Sequence, residues 1–240
     1  MTISRRKAIL VSGSTLAALA MATVKPRVLG ALQRGAGGGP GQQADFPDAL
    51  VDQEMRQGFP AELPLLPDGS APEHDPGAAG PIQGRLMWRG GGTPDVPGFR
   101  DMSIRVDTRG LSRRYGTLRF ADLEQLPQVS HTFLMQCGAP EPTGIVTWGG
   151  VRFADFADTL GLHEGVHYCR LTAFDGHYVD EDMTTLRHPQ TLLAWMMNGE
   201  PIPADHGAPL RLVIPFRYGN RSLKAIESML FSTPSLPAPG

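Results

Sequence analysis

Residues 206–224 read HGAPLRLVIPFRYGNRSLK, a run in which apolar residues, turn-forming residues and cations follow one another closely. Residues 210–214 form an apolar run of strand length, and Pro215 ends it because proline lacks the N–H that a sheet requires. Arg211 stands inside this run, and Lys224 closes the stretch. Taken alone, Arg211 is better explained as a solvated strand charge and Lys224 as a surface lysine. A binding role for either residue depends on the motifs in the rest of the chain.

The chain upstream of this stretch alternates strand patterns with turns. Residues 129–136 alternate apolar and polar side chains, which predicts a strand that ends at Cys137. Residues 151–160 carry apolar side chains at helical spacing, and Gly161 can end that helix. Further strands are predicted over 102–106, 167–173, 191–197, 210–214 and 222–232, a turn or short helix over 118–126, and turns at 175–176 and 198–199. Short strands with few helices are typical of a β-rich α+β domain.

Length and composition limit the size and the partners of the protein. The chain has 240 residues, enough for one sizeable domain with a proper core and at most an appendage. Its formal net charge of -2 gives no electrostatic reason to expect a nucleic acid or an anionic membrane surface as a partner.

Residues 1–23 have the three parts of an export signal. Arg5 and Arg6 precede an apolar stretch, and the small residues at 18–22 fit an A-x-A cleavage rule. A pair of arginines in this position matches the twin-arginine pattern, with an ordinary secretory signal or an uncleaved anchor as the alternatives. We therefore predict an exported, periplasmic protein that would touch a membrane only through an uncleaved signal anchor.

Residues 24–100 are predicted to be an extended, Gly/Pro-rich arm, and residues 101–240 the folded domain. Residues 35–41 consist of Gly, Ala and Pro, and such a chain buries too little apolar surface to offset the backbone entropy lost on ordering. Within the arm, residues 48–57 have the pattern of one helix.

Cys137 is the first candidate for chemistry, because it ends a predicted strand and enters a Gly/Pro loop. A strand end holds a side chain rigidly, and a thiolate suits soft, redox-active metals. A buried, inert cysteine is the alternative. A disulfide with Cys169, the second of two cysteines, and a cysteine nucleophile assisted by histidine stay open as well. We interpret Cys169, which falls within a predicted strand, as a buried structural thiol.

The order of motifs along the chain resembles the molybdopterin-binding domain of the sulfite oxidase family. Cys137 is followed by Trp148-Gly149-Gly150-Val151 at the start of a predicted helix, by NGEPIP at 198–203 and by the 206–224 stretch. The resemblance covers roughly residues 130–232 and includes several Gly and Pro residues at fixed offsets. It implies a β-rich, sulfite-oxidase-type α+β fold.

The resemblance also implies roles for individual residues. Cys137 matches the catalytic cysteine whose thiolate is the metal ligand, and Arg211 matches the arginine that contacts the pterin phosphate. His206 falls near the pterin, and the segment Ser222, Leu223 and Lys224 matches the one that wraps the phosphate with backbone N–H groups and a lysine. An arginine fork, a point cation and exposed amides are what a phosphate requires.

The implied activity is that of a molybdenum–pterin (molybdopterin) oxidoreductase. It would perform two-electron oxo transfer on a small oxoanion or on an S- or N-oxide, and the alternative is a non-catalytic binding module on the same fold. The sequence contains no C-x-x-C-H haem motif, so we expect electrons to pass to or from a separate partner, a cytochrome or a quinone-linked subunit.

Overall fold

The computed structural model describes residues 62–81, 93–136 and 143–237. These residues form two five-stranded sheets. The strands are β1 Ser103–Asp107, β2 Gly116–Arg119, β3 Gln128–Gln136, β4 Thr143–Arg152, β5 Tyr168–Ala173, β6 Tyr178–Asp182, β7 Leu192–Met197, β8 Glu200–Pro201, β9 Arg211–Val213 and β10 Ile226–Ser232, and the α-helices are α1 Phe120–Glu124, α2 Phe153–Leu160 and α3 Met183–Leu186. Single 3₁₀ turns cover Pro76–Ala78, Phe99–Asp101, Ala204–His206 and Gly219–Arg221.

Sheet I has the strand order β2-β1-β10-β5-β6, and sheet II has the order β3-β4-β7-β8 with β9 paired to β7. All pairings are antiparallel except that of β1 with β10, where Arg105 lies opposite Ser228. The two sheets share one apolar core, to which sheet I contributes residues such as Leu171 and Met229 and sheet II contributes Leu193 and Leu212.

The opposite face of sheet II carries a second apolar cluster. Trp148 is 1% exposed there, and its neighbours in the cluster are Val146, Leu192, Ala194, Ile202 and Val213. Arg211 lies on this face as well, because it pairs with Ala194 in the β7–β9 register. Arg211 therefore lies on the face of sheet II that is turned away from the shared core.

Most predicted elements are confirmed, with shifted ends. The helix predicted over 151–160 begins at Phe153, because β4 continues through Arg152, and it ends at Gly161 with a left-handed φ of 58°. The strand predicted over 222–232 begins at Ile226, because residues 222–225 form a loop instead. Strands β2, β4, β6 and β8 were not predicted as strands. The predicted helix over 48–57 lies outside the described residues.

The N-terminal segment, residues 62–81, lies against sheet II. The side-chain amide of Gln190 accepts from Ala71 N (2.8 Å) and donates to Ala71 O (2.7 Å). His74 N donates to Thr132 O on β3 (2.8 Å), and Gly80 N donates to Ile145 O on β4 (3.2 Å). The boundary between arm and domain at residue 100 stays a prediction. None of the helices in the described ranges is long and apolar enough to cross a membrane.

Candidate functional site

Strand β9 and the chain that follows it bring the predicted residues together. After Pro215 the chain turns back, so that Leu212 N donates to Leu223 O (2.8 Å) and Ile226 N donates to Leu210 O (2.8 Å). Ala225 N donates to Gly207 O (3.0 Å), which ties the same loop to the turn before β9. His206, Arg211, Ser222 and Lys224 therefore meet, although up to 18 positions separate them in the sequence.

Arg211 is at the centre of this group. It is 5% exposed. Its Nη1 donates to His206 O (2.8 Å), and its Nη2 donates to Ser222 O (3.2 Å). The centre of its guanidinium lies 4.4 Å from the centroid of the Trp148 ring. Burial lowers the pKa of Arg211 to about 10, so the group still carries its positive charge at neutral pH.

The guanidinium of Arg211 has hydrogen-bonding capacity to spare. Its Nε is buried and has no hydrogen-bond partner among the described residues, and no carboxylate in those ranges forms a salt bridge with it. A guanidinium offers five N–H donors, and the two backbone carbonyls of His206 and Ser222 accept from only some of them. A buried cation with unused donors is suited to an anion with several oxygen atoms.

His206 and Lys224 flank the arginine. Lys224 Nζ donates to Asp205 O (3.0 Å). The Nδ1 of His206 is buried and has no partner among the described residues. Burial lowers the pKa of His206, and the positive charges of Lys224 and Arg211 lower it further. The site thus holds two charged cations beside a histidine that stays neutral.

Gly207 allows the two halves of the site to approach closely. Its φ is 113°, and a Cβ at this position would lie 3.0 Å from Lys224 Cα. A larger residue would push Lys224 and the backbone of residue 207 apart. The close approach of Lys224 therefore explains why the sequence motif has a glycine at position 207.

Ser222 and Leu223 have mainly structural contacts. The hydroxyl oxygen of Ser222 accepts from Ile214 N (2.9 Å), and Ser222 N donates to Gly219 O (3.1 Å). Leu223 is 8% exposed and packs into the shared core. The N–H of Ser222 is therefore used within the loop, and the cationic side chains are the clearer ligand groups.

Cys137, the predicted metal ligand, lies outside the described residues. Its neighbour Gln136 is the last residue of β3, is 8% exposed and pairs with Thr143 on β4. The predicted residues that the structure brings together are thus His206, Arg211, Ser222, Leu223 and Lys224. The position of Cys137 relative to them stays a prediction.

Two neighbouring contacts were not predicted. Trp148, which belongs to the motif before the predicted helix, is buried, and its ring also contacts the Arg211 guanidinium. Arg221, which lies in the same 206–224 stretch, is bound to Glu181, with 2.6 Å between Nε and Oε1. Burial raises the pKa of Glu181 although Arg221 opposes this. No local sequence signal connects residue 148 with 211 or residue 181 with 221, because each pair forms only when the sheets assemble.

Comparison with known proteins places the chain in a family. Residues 93–238 match the family described as oxidoreductase molybdopterin binding domain. The chain is 32% identical over 135 residues to the putative protein-methionine-sulfoxide reductase subunit YedZ1 of Azospira oryzae, an alignment that covers 56% of this chain and 51% of that protein. It is 47% identical over 83 residues to the protein-methionine-sulfoxide reductase catalytic subunit MsrP of Xanthomonas campestris, covering 34% of this chain and 24% of that protein. The chain thus spans about half the length of the first relative and a quarter of the second.

A solved structure with a similar fold is that of the sulfane dehydrogenase SoxCD from Paracoccus pantotrophus. The TM-score is 0.56 at 16% identity, over 88% of this chain and 60% of that one. This likeness concerns the fold, and it confirms the predicted β-rich α+β fold of the sulfite oxidase type. The family match confirms the predicted cofactor class, and the chain belongs to the oxidoreductase molybdopterin-binding domain family.

Proposed function

We propose that the protein is a molybdenum–pterin oxidoreductase that performs two-electron oxo transfer on a small oxoanion or an S- or N-oxide. The observation that carries this proposal is the buried Arg211 guanidinium, which has unused N–H donors and no carboxylate partner in the described chain. An uncompensated buried cation is costly, and a bound phosphate offsets that cost.

The residues present fit the phosphate end of molybdopterin. Arg211 would donate from Nε and its remaining N–H groups, and Lys224 would add a second positive charge. His206, kept neutral by burial and by these two cations, would offer a hydrogen bond without adding a third charge. The thiolate of Cys137 would bind the metal, which when bound supplies the two-electron oxo transfer.

The relatives also suggest a substrate class. Two of them are named as subunits of protein-methionine-sulfoxide reductases. An S-oxide is therefore the first substrate to test, and methionine sulfoxide is the simplest representative. Sulfite tests the oxoanion alternative.

The proposal includes export and a partner. Arg5 and Arg6 ahead of an apolar stretch support twin-arginine export to the periplasm. We infer that a separate cytochrome or quinone-linked subunit exchanges electrons with the protein, since the sequence has no haem attachment motif.

Metal and pterin analysis tests the cofactor site directly. The full chain, produced in a host that makes the cofactor, should contain molybdenum and pterin near one equivalent each. Arg211→Gln should reduce both to about a tenth, because charge-assisted hydrogen bonds to the phosphate are lost. Arg217→Gln is the matched control, since Arg217 is exposed, and it should retain both. Absence of pterin from the unsubstituted protein would contradict the proposal.

Substitution of the predicted metal ligand separates binding from chemistry. Cys137→Ser should abolish reduction of methionine sulfoxide by a dithionite-reduced dye while the pterin content stays within about twofold of the parent. Turnover that survives the substitution would show that Cys137 is not the ligand. A parent protein that binds pterin but turns over neither an S-oxide, an N-oxide nor sulfite would be a binding module.

A further inference from the structure

The charge of Arg211 is stabilised in an unusual way. Buried arginines are generally paired with carboxylates, because removing a cation from water is costly. In the described chain Arg211 has two backbone carbonyls, those of His206 and Ser222, and the face of Trp148. Carbonyl dipoles and an aromatic face stabilise a cation without cancelling its charge.

The contact between Arg211 and Trp148 is geometrically suited to a cation–π interaction. The guanidinium carbon lies 4.4 Å from the ring centroid, and the two side chains belong to residues that are 5% and 1% exposed. Cation–π attraction is strongest for tryptophan and where water is excluded. The indole Nε1–H can only donate, and a guanidinium has no acceptor, so the contact of Trp148 with Arg211 is made by the face of the ring.

A carboxylate in the place of the indole would have two effects on an incoming phosphate. It would occupy N–H donors of Arg211, and it would repel the phosphate. The indole ring does neither, and its flat surface fixes the plane in which the remaining N–H groups lie. The ring thus keeps the arginine charged, oriented and available.

We propose that Trp148 is a positioning residue that takes the place of a carboxylate counter-ion beneath Arg211 and thereby keeps this arginine available for the phosphate of molybdopterin. The inference rests on the proposed function, in which Arg211 binds that phosphate. It predicts that the electronic character of residue 148, and not only its volume, sets the affinity of the site for phosphate.

Trp195 provides a matched control. It is 4% exposed and belongs to β7 of the same sheet, but it lies in the shared core on the other face, edge-on to Phe120 with 5.4 Å between the ring centroids. Among the described residues it has no cation over its ring. Trp195→Leu therefore creates a similar loss of volume without touching Arg211.

The first experiment measures binding of inorganic phosphate to the cofactor-free full chain by calorimetry, together with the rate at which the loaded protein releases pterin. Trp148→Leu should weaken phosphate binding about tenfold, and Trp148→Phe should fall between Leu and the parent. Trp195→Leu should bind phosphate within about twofold of the parent. Pterin release should follow the same order.

A second measurement covers the case in which Trp148→Leu does not fold. Tryptophan analogues with one to three ring fluorines, introduced at residue 148 alone, keep the shape of the side chain while they weaken the negative ring face. Phosphate affinity should fall stepwise with fluorination.

The outcomes separate the inference from the function on which it rests. If the unsubstituted protein binds neither phosphate nor pterin, the proposed function is wrong and the inference falls with it. If the parent binds both and phosphate affinity is unchanged by fluorination, or falls no more in Trp148→Leu than in Trp195→Leu, the inference alone is overturned.

Discussion

The positive charges of Arg211 and Lys224 act on the nearby imidazole of His206. It lies beside Lys224 and Arg211, with Asp205 as the opposing charge, and burial together with the two cations lowers its pKa. The folded protein therefore holds His206 neutral at a pH where the unfolded chain, with an ordinary histidine pKa, already binds a proton. Protonation of His206 therefore disfavours folding and favours the binding of an anion.

This arrangement predicts a pH-dependent stability for the cofactor-free protein. Because the folded-state pKa lies below the unfolded value, the contribution of His206 is complete above about pH 6.5 and is lost as the pH falls towards the folded pKa. Urea unfolding between pH 8 and 5 should show a loss of stability in the parent that is smaller in His206→Asn. Added phosphate should reduce the loss in the parent, since an anion favours the protonated ring. Equal pH profiles for parent and variant would contradict this account.

At this scale the sequence predicted the members of the site but not its chemistry in detail. His206, Arg211 and Lys224 were identified through a motif with fixed spacing, and the structure brings them together. The contact between Trp148 and Arg211 was not predicted, because alternation along a strand says which face a side chain occupies and nothing about its partner on another strand. The partner depends on register, which is set by the whole sheet.

Among the elements, β4 explains why the predicted helix begins later in the structure than in the sequence-based prediction. Its register against β7 shifts between Gly149 and Gly150. A Cβ on Gly150 would lie 2.0 Å from Leu193 O and 2.8 Å from Ala194 Cα. The sequence placed the two glycines at the start of a helix, whereas in the structure Gly149 and Gly150 belong to β4, and Gly150 allows β4 and β7 to approach closely next to Trp148.

Substitution of glycines in β4 tests whether β4 and β7 are closely packed at Gly150. Gly150→Ala should destabilise the protein by about 3 kcal/mol or prevent folding, because the contact is with backbone atoms that cannot move aside. Gly144→Ala, on the same strand, meets nothing within 4 Å and should change the free energy of unfolding by no more than about 1 kcal/mol. Thermal or urea unfolding of the two variants gives the comparison, and similar stabilities would show that β4 and β7 are not so closely packed.

On the scale of the whole molecule, the N-terminal segment joins the two edges of one hairpin. His74 bonds to Thr132 on the outer edge of β3. Gly80 bonds to Ile145 on β4, and its carbonyl accepts from Asn198 Nδ2 (3.0 Å) on the side where Thr147 meets the turn after β7. Residues 74–80 therefore cross the β3–β4 hairpin. Composition alone predicted an extended arm here, because single hydrogen bonds to distant strands leave no periodic trace in a sequence.

Asn198→Asp tests the attachment at one edge alone. Aspartate tolerates the left-handed φ of 52° at this position and still accepts from Thr147 N, but it has no donor for Gly80 O. Hydrogen exchange at the Gly80 amide should become about tenfold faster. The His74 amide, bonded to the other edge, serves as the internal control and should change little. Unaltered exchange at Gly80 would show that Asn198 does not hold the segment.

Strand β10 lies in the middle of sheet I, with β1 on one side and β5 on the other. Both neighbours are synthesised earlier, and the loop that supplies Ser222 and Lys224 directly precedes β10 in the chain. A ribosome makes the chain from its N-terminus. The site around Arg211 therefore cannot form before residue 226 has emerged, and sheet I cannot close before residue 232 has emerged. We therefore expect the cofactor to bind only after the whole domain has been translated.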